Sequence, residues 1–395
     1  MNILLLSDRT AFTHRRFGGA QSSMRLLAEQ LSKNGHKVFY LTKNKKGRLL
    51  PTVETRLFDG IQVFQVHYPK GWKQSRVIAA IAAMLFQRVL GQTVIEHRID
   101  ICYLFYEIDN LQAVLKERER TRSFKVVLRM AGLHWYEEIR KNESLRAEYL
   151  AAFSQVDSVN FIHSDLRILV DQRLQELGME IKFASSFVAD IGSSVIPSQR
   201  DHVVVDRPRG VVFQVLMIAR FSAYQKRQDL LVQAMNLLVT KGRSDIRIEF
   251  VGEGGTRAAL EAQVRNDKLE SNVIFSDFVS QKDLWDKMRR ADLICQACEY
   301  EGLGKIIIES MALGIPILVS DVVPLNGYIV DGVNGFLVKN APIDWANRIE
   351  QLADNRTRLN SVSESAVAFI KEYYDSAKNV EKYQDAFQRL LESDF

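Results

Sequence analysis

Short apolar runs alternate with longer segments of helical spacing through the first half of the chain. Asn2 to Leu6 and Lys37 to Thr42 are mainly apolar runs with the length of buried strands, and Gln21 to Asn34 between them repeats its apolar positions at helical spacing. Gly18 and Gly19 lie in a turn-rich stretch just before that helix. This order of strand, glycine-containing loop, helix and strand is typical of a parallel sheet covered by helices. Three more strands are predicted at Ile101 to Phe105, Lys125 to Arg129 and Ser158 to Ile162.

A second series of the same kind follows residue 209. The segment 196–209 breaks the pattern with two prolines and clustered charges, which predicts a linker. Beyond it we expect a helix at Asp229 to Lys241 and strands at Val211 to Ala219, Ile246 to Val251, Val273 to Phe275 and Leu293 to Ala297. The sequence therefore predicts an α/β protein of two tandem Rossmann-like domains, residues 1–195 and 210–372, that face each other across a cleft. The tail from Ala366 to Leu391 is predicted to be helical, and residues 373–395 are expected to pack back on the first domain.

Length and composition also favour two globular domains. The chain has 395 residues, 47% hydrophobic and 26% charged, whereas one domain usually holds about 100 to 200 residues. The net charge of +5 is mild, and we expect no nucleic-acid partner. Basic residues cluster in the first quarter, at His14 to Arg16, Lys43 to Arg48 and Lys70 to Arg76. Such segments can meet phosphate or anionic lipid, although a solvated surface is the simpler interpretation.

The cysteines and the amino-terminal sequence favour a cytoplasmic protein. Three cysteines do not make a disulfide framework, and the first residues lack the pattern of a signal peptide. Cys295 and Cys298 form a CxxC pair without a second ligand pair nearby, so packing explains them better than a metal or redox site. The longest apolar stretch, Val77 to Phe86, is shorter than the roughly 20 residues of a spanning helix. It leaves open a peripheral contact with an anionic membrane.

The segment from Glu301 to Glu309, EGLGKIIIE, carries the strongest chemical signal. It places Gly302 and Gly304 in a turn between a predicted strand and a predicted helix. Amides at such a turn and helix start can bind sugar or phosphate oxygens. Glu309 lies among apolar neighbours, where a carboxylate needs a hydrogen-bond partner such as a ribose diol. Taken singly, Glu301 is explained as a helix-start charge and Glu309 as part of a solvent-facing stripe.

With seven residues between them, Glu301 and Glu309 resemble the E-x7-E signature of family 4 glycosyltransferases, which have the two-domain GT-B fold. The resemblance covers most of the chain because other segments match the family's loops in order. These are the glycine pair Gly18-Gly19, His134 after a strand, the basic pair Arg220 and Lys226, the glycine loop Val251 to Gly254, and the structural hairpin Asp331 to Val338. Alone, the basic pair would be surface charge and His134 a structural histidine.

The resemblance implies retaining transfer of a hexose-type sugar from a UDP- or GDP-sugar to a saccharide or lipid-linked acceptor, in the synthesis of a cell-surface polysaccharide or glycolipid. It implies catalytic roles for Glu301, His134, Arg220 and Lys226. The donor-binding residues would be Gly18, Gly19, Gly252, Gly302, Leu303, Gly304 and Glu309. No metal or cofactor is implied, since the basic pair and helix ends would supply the positive charge. The acceptor would lie mainly against the first domain.

Three departures from the family pattern affect the choice of donor. Arg227 stands where a glycine commonly follows the lysine in that family, Lys305 occupies a position that is usually small or apolar, and Gly327 falls near a common glutamate.

Three alternative functions were weighed against this resemblance. A nicotinamide-dependent oxidoreductase is disfavoured because Gly18-Gly19 is not GxGxxG and no acidic residue ends the second strand. A sugar-nucleotide epimerase on the same scaffold and a catalytically silent sugar-nucleotide-binding subunit stay open. The sugar, nucleobase, acceptor and linkage are not predicted.

Overall fold

The computed structural model describes residues 1–14, 18–45, 50–69, 71, 75–193, 212–222 and 225–393. The chain divides into two compact units, the first made of Met1–Gly192 with Ser376–Phe395 and the second of Ser193–Asp375. The predicted linker 196–209 lies outside the described residues. Each unit is an α/β layer structure with its own sheet, as the sequence predicts.

The first unit is built on an eight-stranded sheet. Its strands are β1 (Asn2–Ser7), β2 (Lys37–Lys45), β3 (Thr52–Phe58), β4 (Ile61–Tyr68), β5 (Ile101–Phe105), β6 (Lys125–Met130), β7 (Ser158–Phe161) and β8 (Ser186–Val188). The helices between them are α1 (Gly19–Lys33), α2 (Arg76–Glu96), α3 (Ile108–Thr121), α4 (His134–Arg140), α5 (Glu143–Phe153) and α6 (Ser164–Glu176). The strand order is β3-β4-β2-β1-β5-β6-β7-β8, parallel except for the antiparallel pair β3 and β4.

The β3–β4 hairpin has no counterpart among the predicted strands. Its turn is Asp59-Gly60, and both residues have positive φ, 48° and 84°. Asp-Gly between two strands is a strong hairpin signal because this turn needs left-handed backbone at both central residues. The sequence FDGI therefore indicates a hairpin turn. The strand β3 before it lacks an apolar run, because its residues are mostly exposed.

The second unit contains a six-stranded, wholly parallel sheet. Its strands are β9 (Phe213–Ile218), β10 (Ile246–Val251), β11 (Val273–Ser276), β12 (Leu293–Gln296), β13 (Ile317–Ser320) and β14 (Phe336–Val338). Its helices are α7 (Gln228–Thr240), α8 (Arg257–Asn266), α9 (Gln281–Arg290), α10 (Lys305–Ala312), α11 (Leu325–Tyr328), α12 (Pro342–Asp354) and α13 (Arg356–Tyr373).

The strand order of the second unit, β11-β10-β9-β12-β13-β14, reverses direction between β9 and β12. Leu293 of β12 pairs with Val215 of β9, and both side chains are buried in the unit's core with Cys295. In an open parallel sheet, ligands bind outside the carboxyl ends of the strands at such a reversal. The topology thus points to the loops after β9 and β12.

The carboxy-terminal segment returns to the first unit as helix α14 (Ser376–Glu392). Tyr383 and Phe387 of this helix are fully buried in the core that also contains α1 and β1 side chains. The buried Arg129 of β6 donates a hydrogen bond to the Tyr383 hydroxyl at 3.3 Å. The single helix predicted from Ala366 to Leu391 is wrong in one respect, because α13 ends at Tyr373 and a new helix begins at Ser376.

Helix α2 extends well beyond its predicted apolar stretch. It has 21 residues, and by length and composition it is the one helix in the described part of the chain that could cross a membrane. Core helices pass the same test, and α2 packs on α3 and β4, with 39% of its most apolar window buried. One face nevertheless remains exposed and apolar, with Val77, Ile81, Met84 and Ile95 between 41% and 71% exposed.

Candidate active site

Two loops at the strand reversal of the second unit carry the predicted catalytic groups. The loop after β9 holds Arg220 and Lys226, and the loop after β12 holds Glu301. The backbone joins the two loops, since Lys226 forms an antiparallel bridge with Cys298 and Glu299 N donates to Gln225 O at 3.0 Å. The fold therefore brings three residues that are far apart in sequence to one edge of the sheet.

Lys226 and Glu301 form an ion pair. The Lys226 ammonium donates to Glu301 Oε2, and the two side chains are only 12% and 14% exposed. The other oxygen of Glu301, Oε1, accepts from Gly302 N at 3.1 Å. Sequence reasoning predicted separate roles for these groups and a bare amide at Gly302. The expectation of a bare amide at Gly302 is wrong, because this N–H already donates a hydrogen bond to the carboxylate of Glu301.

Arg220 differs from its predicted partner Lys226. Its side chain is exposed and makes no ion pair within the described ranges, 75–193, 212–222 and 225–393 among them. Its carbonyl accepts a hydrogen bond from Gln228 Nε2 at 3.1 Å, and Gln228 is 1% exposed. The backbone at Arg220 is thus held by α7 while its guanidinium remains in solvent.

The glycines after β10 allow this loop to approach the Arg220 loop closely. Gly252 and Gly254 have φ of 149° and 153°, and a Cβ would come within 2.2 Å of Ala219 O and 2.0 Å of Phe221 O respectively. Phe221 N donates to Glu253 O at 2.9 Å across the same contact. These glycines pack against the backbone of Ala219 and Phe221, so their conformation supports the Arg220 loop.

The turn before α10 requires glycine at its last position. Gly304 has φ of 71°, and a Cβ there would lie 2.6 Å from Ile307 Cδ1. Leu303 is buried, and its carbonyl accepts a hydrogen bond from the Tyr328 hydroxyl. Gly304 is the N-cap of α10 and has left-handed backbone, so this anchored turn fixes where the helix begins.

Glu309 is buried on α10, as its apolar neighbours indicate, with an exposure of 3%. Its Oε2 accepts from Gln281 Nε2 at 3.3 Å and from Trp285 Nε1 at 3.4 Å, both on α9. Burial raises the pKa of Glu309, while the nearby charge of Lys305 lowers it. Both hydrogen bonds are long, and within the described residues neither reaches Oε1, so this carboxylate keeps capacity for a further donor.

Sequence reasoning missed Gln281 and Trp285. They lie 28 and 24 residues before Glu309, and only the packing of α9 beside α10 brings them to it. A weak signal existed, because Trp285 is an indole on a short helix that otherwise has the charged sequence QKDLWDKMRR. A buried tryptophan N–H usually finds a polar partner.

Three predicted site residues lie in the first unit. Gly18 is the N-cap of α1, and its amide donates to Gln21 Oε1 at 3.0 Å, while Gly19 begins the helix. His134 follows β6, which stops at Met130, and is the first residue of α4. The side chain of His134 lies outside the described part of the structure.

A family model for glycosyl transferases group 1 matches residues 207–372, which include both loops of the site. The chain is a glycosyltransferase, and its second unit is similar to the group 1 family. An N-acetyl-alpha-D-glucosaminyl L-malate synthase from Bacillus anthracis is 22% identical to it over 93% of each chain. A D-inositol 3-phosphate glycosyltransferase from Thermobispora bispora is 26% identical over 42% of this glycosyltransferase and 41% of its own length.

Solved structures show the same fold. The sucrose-phosphate synthase of Thermosynechococcus elongatus matches this glycosyltransferase with a TM-score of 0.79 at 17% identity, covering 99% of both chains. The Anabaena protein HepE, solved with UDP and glucose, matches with a TM-score of 0.73 at 16% identity over 98% of this chain and 100% of its own. These likenesses confirm the predicted GT-B fold of two Rossmann-like units.

Proposed function

We propose that this glycosyltransferase transfers a hexose-type sugar from a UDP- or GDP-sugar, with retention at the anomeric carbon, to a saccharide or lipid-linked acceptor. The observation that carries the proposal is the Lys226–Glu301 ion pair at the reversal of strand order in the second unit. A cation and a carboxylate side by side at such an edge match the two ends of a sugar nucleotide. The diphosphate needs positive charge, and the sugar hydroxyls need an acceptor.

In this proposal Lys226 and Arg220 bind the diphosphate and stabilise the charge that develops on the leaving nucleotide. Arg220 is exposed and retains its five N–H donors, and Lys226 can exchange its carboxylate partner for a phosphate oxygen. The amino end of α10 adds positive potential from the dipole of the helix. Two cations and a helix end supply what a divalent ion would, so we propose transfer without a metal or other cofactor.

We assign the ribose to Glu309 and the donor sugar to Glu301. Glu309 Oε1 has no hydrogen-bond partner in the described residues, and a ribose diol would give this buried carboxylate one. Glu301 would hold the sugar hydroxyls while it keeps its own orientation through Gly302. The roles of Gly18, Gly19 and His134 beside the donor rest on the family resemblance alone.

We further propose that the acceptor is reached in the cytoplasm at the inner face of a membrane. The apolar residues Val77, Ile81, Met84 and Ile95 lie on one side of α2, because they repeat at helical spacing. Exposed Arg76 and Arg88 of α2 accompany them, and the segment 70–75 before α2 reads KGWKQS. Exposed apolar side chains beside cations match an anionic bilayer surface. Lipid-linked saccharides and glycolipid synthesis are consistent with that placement.

Ligand-induced stabilisation tests the donor assignment. Purified protein is screened by thermal shift against UDP-, GDP-, ADP- and dTDP-sugars in EDTA, since selective binding raises the melting temperature. We expect a UDP- or GDP-sugar to give the largest shift. Transfer is then measured as release of the nucleoside diphosphate, and the anomeric configuration of the product is read by NMR. No shift with any sugar nucleotide, or an inverted product, would contradict the proposal.

Two alternatives predict different products from the same incubation. An epimerase would convert the sugar nucleotide without an acceptor, and a silent subunit would bind it without turnover. Transfer by wild type that is lost in the variants Glu301→Ala and Lys226→Ala would exclude the silent subunit, because the proposed site needs both residues. Full activity in both variants would exclude the assigned residues.

A further inference from the structure

Arg227, the residue after Lys226, connects the two loops of the site through its side chain. Its Nε lies 2.9 Å from Asp229 Oδ1 and its second terminal nitrogen 2.8 Å from Asp229 Oδ2, which is a two-pronged contact. The remaining terminal nitrogen donates to Glu299 Oε1. One guanidinium therefore holds a carboxylate of the β9 side and a carboxylate of the β12 side at once.

The position of these partners determines what the bridge holds in place. Asp229 lies in the first turn of α7, so it fixes the guanidinium to a regular helix. Glu299 precedes Glu301 by two residues, and Arg227 follows Lys226 by one. A backbone hydrogen bond also joins the two loops, since Arg227 N donates to Ala297 O at 3.1 Å. The bridge thus lies immediately beside the Lys226–Glu301 pair.

We infer that Arg227 is a positioning residue for donor binding, which sets the distance between the Lys226 loop and the Glu301 loop before the donor arrives. This inference rests on the proposed function of those two loops. A site that is held in its binding geometry loses less freedom when the ligand binds, so affinity rises without a direct contact. A glycine at this position has no side chain and could not make this contact.

The geometry of this bridge differs from that of an ordinary surface ion pair, which contributes little to the free energy of folding. The Arg227 side chain is 25% exposed and engages two carboxylates with three different nitrogens. Hydrogen bonding to Asp229, followed by that to Glu299, raises the pKa of Arg227. Lysine cannot reproduce the contact, because one ammonium lacks the planar fork that spans both partners.

Arg243 offers a matched control elsewhere in the same unit. It also makes a two-pronged contact with the aspartate two residues later, Asp245, at 2.9 and 3.0 Å, and it reaches Asp354 at 3.2 Å. Its side chain is 19% exposed. Arg243 precedes the amino end of β10, whereas the site loops follow carboxyl ends. Removing it deletes a similar network away from the site.

The experiment compares Arg227→Ala, Arg227→Lys and Arg243→Ala in the full chain. We expect Arg227→Ala to raise the donor KM and the Kd of the free nucleoside diphosphate about tenfold, with kcat changed less than about threefold. Arg227→Lys is expected to match Arg227→Ala, and Arg243→Ala to match wild type. Glu299→Gln should weaken donor binding as Arg227→Ala does, and the double variant should lose no more than either single one.

Each other outcome has a definite meaning. If Arg227→Lys binds like wild type, the positive charge acts on the diphosphate directly and the bridge is not the cause, which overturns the inference. Equal KM and Kd in Arg227→Ala, Arg243→Ala and wild type would overturn it as well. If wild-type protein binds no nucleoside diphosphate or sugar nucleotide, the proposed function fails first. The binding measurement therefore separates the two failures without requiring turnover.

Discussion

Lys226 and Glu301 are bound to each other across the boundary between β9 and β12. Each neutralises the other where a diphosphate and a sugar would bind under the proposed function. A diphosphate that enters must therefore compete with Glu301 for the ammonium of Lys226. Because of this competition, Glu301 should weaken binding of the free nucleoside diphosphate while it promotes transfer of the sugar.

The variant Glu301→Gln separates those effects. Removing the carboxylate charge leaves Lys226 available, so the free nucleoside diphosphate should bind at least as tightly as to wild type, and up to about tenfold more tightly. Transfer should fall by about a hundredfold, because the sugar loses a charged hydrogen-bond acceptor in the transition state. Calorimetry measures the first quantity and diphosphate release the second. Glu350→Gln on α12 serves as a control that should change neither. Tenfold weaker diphosphate binding in Glu301→Gln would contradict the competition.

Glu309 gives a prediction on pH. Burial raises the pKa of this carboxyl above its ordinary value of 4.5. The folded chain then binds a proton more readily than the unfolded chain, so ionisation of Glu309 subtracts stability as pH rises from 4.5 to the folded pKa. Above the folded pKa the whole penalty is present.

We therefore expect Glu309→Gln to melt at or above the wild-type temperature at pH 7.5, with the difference shrinking as the pH falls toward 4.5. The same variant should bind the nucleoside diphosphate about tenfold more weakly, since a charged hydrogen-bond acceptor is lost. Scanning calorimetry across pH and an isotherm at pH 7.5 measure these quantities. Glu117→Gln, a 3% exposed carboxylate paired with Arg120, should instead lower the melting temperature. A lower melting temperature for Glu309→Gln at pH 7.5 would show that its ionised form stabilises the fold.

The sequence predicts strands well where both faces of the sheet are covered. The run Ile246 to Val251 was expected and found with the same bounds, because an apolar run in a parallel sheet is short, buried and bounded by turns. The β3–β4 hairpin and the short strands β8 and β13 were not predicted, and Phe336–Val338, expected within a hairpin, instead forms β14 in parallel with β13. In β3 the exposed residues dilute the apolar pattern, and β14 has only three residues.

Candidate site residues were predictable one at a time, but their pairing was not. Glu301 and Lys226 are 75 residues apart, and their contact depends on β12 lying next to β9 instead of next to β11. The same order of strands brings Arg227 to Glu299. Local patterns indicate which loops carry charge, whereas the neighbours of a loop follow from the crossover connections of the whole unit.

Gly254 supplies a test of the close loop contact. Alanine there would place a Cβ 2.0 Å from Phe221 O at a φ of 153°, so the backbone must shift. We expect Gly254→Ala to lower the free energy of unfolding by about 2 to 4 kcal/mol, through overpacking and backbone strain. The adjacent Gly255→Ala is the control, since a Cβ there meets nothing within 4 Å. Denaturant titration measures both. Equal stability of the two variants would mean that the contact between Gly254 and Phe221 can relax without cost.

The exposed face of α2 predicts a membrane contact that depends on the pattern of apolar residues. Met84 and Ile95 are 71% and 57% exposed, and Leu57 and Ile168, elsewhere in the first unit, are 72% and 57% exposed. The double variants Met84→Ser with Ile95→Ser and Leu57→Ser with Ile168→Ser therefore remove similar exposed surface. Vesicle flotation compares them, using bilayers with and without anionic lipid at low and high salt.

We expect the α2 variant to lose binding to anionic vesicles by about tenfold or more, because each apolar side chain that enters the bilayer contributes roughly 1.5 to 3 kcal/mol when fully buried. The control variant should bind like wild type. Salt should weaken wild-type binding because Arg76 and Arg88 act through exposed, screened charges. Absence of wild-type flotation on any vesicle would remove the membrane contact from the proposed function. Equal loss in both variants would mean that α2 is not the contacting face.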